Sequence, residues 1–410
     1  MAKLSLTKDR IRIMLLEGVH DSALADFRDH GYATIETIGH ALDEDDLAHR
    51  IRNVHILGIR SRTRVTDKVL AAANRLLCIG CFCIGTNQVS AETARRMGVP
   101  VFNAPYSNTR SVAELVLGEM LMLLRRIPER STEAHAGRWH KASKGSHEAR
   151  GKTLGIVGYG HIGSQLSILA EALGMRVRYY DVEKKLAIGN AQRCASLDEL
   201  LSVADVVTLH VPATPQTRRM IDARAIHHMK KGAHLINASR GSVVDIPALA
   251  AALRDHHLAG AAIDVFPEEP ASDNEEFKSP LRGLPNVILT PHIGGSTQEA
   301  QENIGTEVAE KLIRYSDVGS TVGAVNFPEV SLPIKPSGTR FLHIHANTPG
   351  TLKAIIDILV ARGRNVAAQY LQTDGEIGYV VVDVDGAVQE RAVLEELQAV
   401  PGTIRARFLN

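Results

Sequence analysis

Apolar positions along this chain recur in two rhythms, and their alternation predicts a parallel-sheet protein. From Ile11 to Ile59 and again from Val69 to Phe102, short apolar runs of strand length alternate with stretches that keep one apolar face at helical spacing, as strand–helix units do. A long helical pattern from about Asn108 to Leu124 follows, then a polar stretch from Glu133 to Arg150 that carries the single tryptophan, Trp139. Leu154-Gly155-Ile156-Val157 reads as a buried strand, and Ile162, Leu166, Leu169, Ala170 and Leu173 as one face of a helix that Gly174 ends. Arg176 to Tyr180, Val206 to Val211, His234 to Ala238, Ala261 to Val265 and Val287 to Leu289 are further strands. Ser296 to Ser316 is a second long amphipathic helix, capped by Ser296 or Thr297, and is expected to return the chain to the first domain.

Pro328, Pro333 and Pro336, mixed with polar residues and Gly338, read as a linker. Beyond it lie a strand from Arg340 to His345, a helix from Pro349 to Arg362 and a strand from Asn365 to Gln372. An Asp374-Gly375 turn, a strand from Tyr379 to Val384, a helix from Val388 to Val400 and a strand from Thr403 to Leu409 follow. The order βαββαβ is that of a ferredoxin-like unit. The expected class is α/β, with two doubly wound parallel-sheet domains and a small C-terminal domain. The first covers 1–107 and is completed by 298–335; the second covers 108–297; the third covers 336–410.

The segment Gly158-Tyr159-Gly160-His161-Ile162-Gly163 joins a strand to a helix, the Rossmann-like arrangement that holds a dinucleotide. Gly158 permits the tight turn, Gly160 lets backbone N–H groups approach a pyrophosphate, and Gly163 lets helix and strand pack closely. Helix-end N–H groups and the helix dipole favour an anion there. Asp181, at the end of the next strand, is placed to accept hydrogen bonds from a ribose diol and to repel a 2′-phosphate, so NAD is expected rather than NADP.

Three ionisable residues stand directly after strands of this domain: Arg240, Glu269 and His292. In open parallel sheets chemistry gathers beyond the carboxyl ends of strands. Each alone reads as a solvated loop residue. Together they supply what oxidation of a 2-hydroxy acid beside a nicotinamide needs: a guanidinium fork for carboxylate and carbonyl, a base for the hydroxyl proton, and an acid that orients the base. After the strand Val54 to Ile59, Arg60, Arg62 and Arg64 alternate along Arg60-Ser61-Arg62-Thr63-Arg64. On an extended segment they point one way, either toward a phosphate or into solvent.

Bulk properties narrow the classes. A net charge of +1 and 4% aromatic residues give neither the electrostatics nor the stacking surface for nucleic acid. The apolar Leu115 to Leu124 is too short to span a bilayer and contains Glu119, and Met1 to Arg10 lacks a signal-peptide core. No membrane association and a cytoplasmic location are expected. Cys78, Cys81, Cys83 and Cys194 lack the spacing of a metal site or a disulfide framework, so no metal is expected.

On Gly158 to Gly163, Asn237 to Asp245, Ala261 to Pro270 and Pro291 to Ser296, the chain resembles the D-isomer-specific 2-hydroxyacid dehydrogenases, and among them those of short bacterial type that end in an ACT regulatory domain. The resemblance implies NAD-dependent oxidation of 3-phospho-D-glycerate to 3-phosphohydroxypyruvate, the first step of phosphorylated serine synthesis, with possible reduction of 2-oxoglutarate. By the same resemblance Arg240 binds substrate, His292 accepts the proton and Glu269 hydrogen-bonds His292. It assigns Gly158, Gly160, His161, Ile162, Gly163, Asp181, Ala238, Ser239, Arg240, Asp264, His292, Ile293, Gly294 and Gly295 to the NAD site. Arg60, Ser61, Arg62 and Asn108, with Lys141 from a neighbouring subunit, match substrate-phosphate positions, and Cys83, Ile84 and Gly85 present N–H groups to the substrate carboxylate. His345, Asn347 and, from another chain, Asn365 match positions that bind L-serine as allosteric inhibitor in a homotetramer. Trp139 matches a residue that packs into a partner subunit. Where relatives often carry a glycine pair before the last domain, this chain has Pro336-Ser337-Gly338, which bears on the strength of inhibition. Dehydrogenases of unphosphorylated acids and NAD-sensing corepressors on the same fold are the alternatives; the arginines and the C-terminal domain argue against the first, and the amino-acid-binding C-terminal domain with its bacterial-type linker against the second.

Overall fold

A computed structural model describes residues 6–270, 274–334, 338–385 and 390–409. Two compact units are present: Met1–Ser107 with Gln301–Asn410, and Asn108–Ala300.

The first unit contains a five-stranded parallel sheet of β1 (Arg12–Leu16), β2 (Thr34–Ile38), β3 (Ile56–Ile59), β4 (Cys78–Cys81) and β5 (Val101–Asn103), in the order β2-β1-β3-β4-β5. β1, β3 and β4 are buried over nearly their whole length, as strands covered on both faces must be. The helix Gln298–Val318 closes one face: Ile304, Val308, Ala309, Leu312 and Ile313 pack with Ile13, Leu15, Ile56 and Phe102. Gly80 shows how close the approach is. A Cβ there would lie 2.7 Å from the side chains of Val308 and Leu312.

The second unit contains β6 (Thr153–Val157), β7 (Arg176–Tyr180), β8 (Gln192–Arg193), β9 (Val206–Leu209), β10 (Ala233–Asn237), β11 (Leu258–Ile263) and β12 (Val287–Leu289). All pair in parallel, in the order β12-β11-β10-β9-β6-β7-β8. The order reverses beside β6, which makes the carboxyl end of β6 a topological switch point. The helix Thr109–Arg125 packs Val112, Val116, Met120 and Leu123 into the core with Ile156, Ile236 and Ala262. The apolar run at Val206 overshoots its strand by two residues; His210 N still donates to Val157 O before the chain leaves the ladder.

The C-terminal part of the first unit is a four-stranded antiparallel sheet of β13 (Thr339–Ala346), β14 (Val366–Thr373), β15 (Ile377–Val384) and β16 (Thr403–Leu409), in the order β14-β15-β13-β16. Helices Thr351–Ala361 and Glu390–Ala399 supply Ile355, Leu359, Val393, Leu394 and Leu397 to the core on one face. The other face, with Leu342, Ile344, Tyr379 and Val381, packs on Phe327, Val330 and Leu332. Tyr379 Oη donates to Gly319 O at 2.6 Å, and Arg340, ion-paired with Asp383, donates to Val318 O and Pro333 O. The Pro336-Ser337 pair lies outside the described residues; Gly338, at φ +85°, precedes β13.

Candidate active site

The glycine turn after β6 is shaped by sterics at two positions. Gly158 has φ +90°, and a Cβ there would meet His210 O at 2.3 Å; at Gly163 it would meet Gly158 O at 2.3 Å. Gly160 differs, because a Cβ there would point into open space. Its lack of a side chain clears the entrance to the helix His161–Ala172, whose N-cap has no side-chain hydrogen bond. A helix start without a side-chain cap and an open approach fit a pyrophosphate. Tyr159 fixes the turn from beneath: its ring stacks on Tyr179 at 4.0 Å, its hydroxyl bonds Ser167, and its backbone N–H donates to Asp181 Oδ2 at 2.8 Å. Asp181 therefore sits against the turn at the end of β7, where both carboxylate oxygens still have lone pairs for a ribose diol.

Three strand ends carry Arg240, Glu269 and His292. After β10, Asn237 accepts from Ser239 N and Oγ and donates through Nδ2 to Arg240 O at 3.1 Å, which folds Ala238-Ser239-Arg240 into a fixed loop. Gly241 follows because nothing larger fits, since a Cβ would come within 2.0 Å of the Phe266 backbone. That contact presses the arginine loop onto the loop bearing Glu269. Glu269 Oε1 accepts from Phe266 N at 3.1 Å, and Oε2 pairs with His292 Nδ1 at 2.9 Å.

His292 itself is held in the left-handed region, φ +54°, which a non-glycine residue keeps only under constraint. Asp264 supplies it. Its backbone O accepts from His292 N, Oδ1 from Ile293 N and Thr290 Oγ1, and Oδ2 from Gly294 N, all within 2.7–2.9 Å. One aspartate thus holds the whole His292–Gly294 turn. At Gly295 a Cβ would lie 2.4 Å from Asn108 Nδ2, so that turn also abuts the start of the Thr109–Arg125 helix.

Electrostatics follow the geometry. The hydrogen bond that His292 donates to Glu269 raises the His292 pKa above the usual histidine value, with burial opposing and the Arg240 charge lowering it. Burial resists ionisation of Glu269, but the bonds from His292 and Phe266 N and the Arg240 charge prevail, and its pKa is lowered. The His292 side chain is 53% exposed, open to a ligand. An imidazole bonded through Nδ1 to a carboxylate presents Nε2 as a base of enhanced strength.

In the first unit, the arginine segment does not continue the strand. β3 ends at Ile59 and the chain bends at Ser61-Arg62 around Glu17, whose carboxylate accepts from the backbone N–H groups of Arg60, Arg62 and Thr63 at 2.8–3.1 Å. The alternation expected for an extended Arg60–Arg64 is therefore replaced by a cradled turn. Gln88, 8% exposed, donates to Arg60 O, Gly85 O and Cys83 Sγ, tying that turn to the Cys83-Ile84-Gly85 loop after β4; Asn103 Nδ2 donates to Ile84 O. Glu17 and Gln88 were not singled out from sequence. Glu17 stands with Gly18 directly after β1, a strand-end signal of the same kind that marks Arg240 and His292; Gln88 has no such signal.

Lys141 and Trp139 lie on an exposed arm without regular structure, Trp139 at 86% exposure. Of the C-terminal positions, His345 is buried at 3% exposure beside His343, 3.3 Å between Nδ1 atoms, and burial lowers its pKa. Asn347 Nδ2 donates to Asp374 O and Asn365 Nδ2 to Asp385 Oδ2. Asn347 neighbours the Asp374 end of β14 and Asn365 the other end, so one chain does not bring them together. The four cysteines are free, and Cys78 and Cys81 are the buried ends of β4. Among the described residues no helix is long and apolar enough to cross a membrane.

Comparison with known proteins identifies the family. The family model for the D-isomer specific 2-hydroxyacid dehydrogenase NAD binding domain matches residues 117–294, and that for the AHAS small subunit-like ACT domain matches residues 341–405. The chain is 60% identical to D-3-phosphoglycerate dehydrogenase of Escherichia coli (strain K12) over all of both chains, and 59% identical to that of Haemophilus influenzae over 99% of both. The solved structure of the TT0316 protein from Thermus thermophilus matches with TM-score 0.66 and 34% identity, covering 74% of this chain and 96% of its own. D-lactate dehydrogenase from Aquifex aeolicus, complexed with NAD and lactic acid, matches with TM-score 0.67 and 26% identity over 78% of this chain and 100% of its own. With NAD as cofactor and an ACT domain at its C-terminal end, the chain belongs to the D-3-phosphoglycerate dehydrogenases of the D-isomer-specific 2-hydroxyacid dehydrogenase family.

Proposed function

We propose that the chain oxidises 3-phospho-D-glycerate to 3-phosphohydroxypyruvate, as the first step of phosphorylated serine synthesis. The observation that carries this reading is the His292 Nδ1–Glu269 Oε2 pair beside Arg240. NAD, held at the Gly158–Gly163 turn and Asp181, would supply the acceptor for the C2 hydride. His292 Nε2 takes the hydroxyl proton, Glu269 stabilises the imidazolium that forms, and Arg240 holds the carboxylate and draws electron density from the developing carbonyl. Arg60, Ser61, Arg62 and Asn108, with Lys141 of a second subunit, bind the phosphate, and the Cys83–Gly85 loop offers N–H groups to the carboxylate. Glu17 fixes the phosphate-binding segment through the backbone N–H groups of Arg60, Arg62 and Thr63, and its own carbonyl accepts from Arg60 Nη1 at 3.4 Å.

The same reading includes a homotetramer in the cytoplasm, inhibited by L-serine at His345 and Asn347 with Asn365 of another subunit, and a secondary reduction of 2-oxoglutarate. The burial of His345 means that serine must meet a rearranged loop or a site completed by a second sheet. An NADH-absorbance assay over a panel of 2-hydroxy and 2-oxo acids, with and without serine, tests the substrate and the regulation together. Phosphoglycerate should be the preferred hydroxy acid. A preference for lactate or glyoxylate would overturn the substrate assignment, and indifference to millimolar serine would overturn the regulatory one.

A further inference from the structure

Glu119 lies in the middle of the helix Thr109–Arg125, 1% exposed, among Val116, Met120 and Leu123. Neither of its carboxyl oxygens has a hydrogen-bond partner. A carboxylate in such a place is among the most costly groups a core can hold, and it is tolerated when it carries a proton or serves a site. Beside it stands the Thr290 hydroxyl, whose own hydrogen is given to Asp264 Oδ1 at 2.7 Å. Asp264 in turn holds the His292–Gly294 turn through three backbone N–H groups, one of them on its own carbonyl.

We propose that Glu119 is a positioning residue of the active site, holding the His292–Gly295 turn through a relay by way of Thr290 and Asp264. The inference rests on that turn being the cofactor and proton-transfer site. Its chemistry follows from hydrogen counting. Thr290 Oγ1 has one hydrogen, already committed, and lone pairs to spare. A protonated Glu119 donates into those lone pairs and strengthens the bond that Thr290 makes to Asp264. An ionised Glu119 has no donor of its own, competes for the Thr290 hydrogen and places a second negative charge beside Asp264. Burial, with the Asp264 charge adding to it and the neighbouring Thr290 hydroxyl opposing it, raises the Glu119 pKa to about 8, so the donor form is the one present at neutral pH. Asp264, at the end of β11, is the charged group that acts on Glu119, and β12 offers Thr290. Of the other elements packed on this helix, β10 carries the buried His234, whose pKa burial lowers to about 4, the helix His161–Ala172 carries His161 and Glu171, and the helix Ile127–His135 carries Glu129, Arg130, Glu133 and His135; none of these is among the groups that shift Glu119.

Cofactor binding gives a readout that does not depend on which acid is oxidised. NADH affinity, followed by nicotinamide fluorescence on the full-length enzyme from about pH 7 to about pH 9, should weaken as Glu119 ionises. Glu119→Gln keeps a donor that cannot ionise; it should bind NADH at neutral pH within roughly twofold of wild type and lose the alkaline weakening. Glu119→Leu removes the donor and should weaken NADH binding roughly three- to tenfold at neutral pH. Thr290→Val should cost about as much, and the double variant no more than either alone. If Glu119→Leu does not fold, the pH profile of Glu119→Gln decides. A profile identical to wild type, or additive losses in the double variant, overturns the relay. Failure of His292 as the base would show instead as near wild-type turnover in His292→Ala, with these binding results unchanged.

Discussion

At the scale of single residues, the proposed chemistry depends on one imidazole kept basic by one carboxylate. With His292 as the proposed base, oxidation of a hydroxy acid needs it uncharged, and because Glu269 raises its pKa, the acidic limb of the wild-type rate profile should lie above the usual histidine value. Glu269→Gln removes the charge that stabilises the imidazolium. The limb should move to lower pH and the plateau should fall, a change visible in kcat/KM for phosphoglycerate measured against pH. His292→Ala should lower turnover by roughly a hundredfold or more while NADH still binds. Retained turnover would assign the base elsewhere. Arg240, Glu269 and His292 stood out in the sequence because each follows a strand by three to six residues, where a polar side chain has few structural reasons to be. Glu119 was read only as a break in an apolar helix. What it faces is set by β11 and β12, more than a hundred residues further on, and no local pattern carries that.

At the scale of elements, the loops are aligned by backbone contacts rather than by side chains reaching for ligand. Gly241 against Phe266 sets the spacing between the arginine loop and the Glu269 loop. Gly241→Ala should separate them, lowering kcat at least about tenfold with a smaller change in thermal stability, since only the surface loops need move; equal turnover would show that the spacing is slack. Glu17 plays the matching part in the first unit. Glu17→Ala frees the backbone N–H groups of Arg60, Arg62 and Thr63, and should raise KM for phosphoglycerate about tenfold while leaving NADH affinity near wild type. A uniform loss on both would point to general unfolding. The sequence predicted the strands and long helices here to within a few residues because buried parallel strands are nearly continuous apolar runs. The Arg60–Arg64 turn escaped it because Glu17, 43 residues earlier than Arg60, dictates the bend.

At the scale of the whole molecule, the two rhythms of apolar spacing marked out the three sheets, and the glycine turn pointed to the cofactor. Burial of His345 was hidden, since alternation places residues on a face without saying how deeply that face is covered. The first unit is also discontinuous: β1 to β5 come from one end of the chain, and the helix that covers them, Gln298–Val318, comes after the second unit is complete. On the ribosome the covering helix emerges roughly 200 residues after β5, a delay of about 10–40 s at ordinary synthesis rates. Through that interval the notch at Gly80, shaped for Val308 and Leu312, faces solvent. A chain stopped after Ala300 should therefore carry a folded, NADH-binding second unit and an exposed apolar face on the first, detected as strong binding of a hydrophobic dye that the full chain lacks; dye binding equal in both would show that the sheet finds another cover. The nascent protein can thus hold its cofactor before the sheet bearing Arg60 and Arg62 is closed, and its dependence on chaperones should be concentrated in that one window of synthesis.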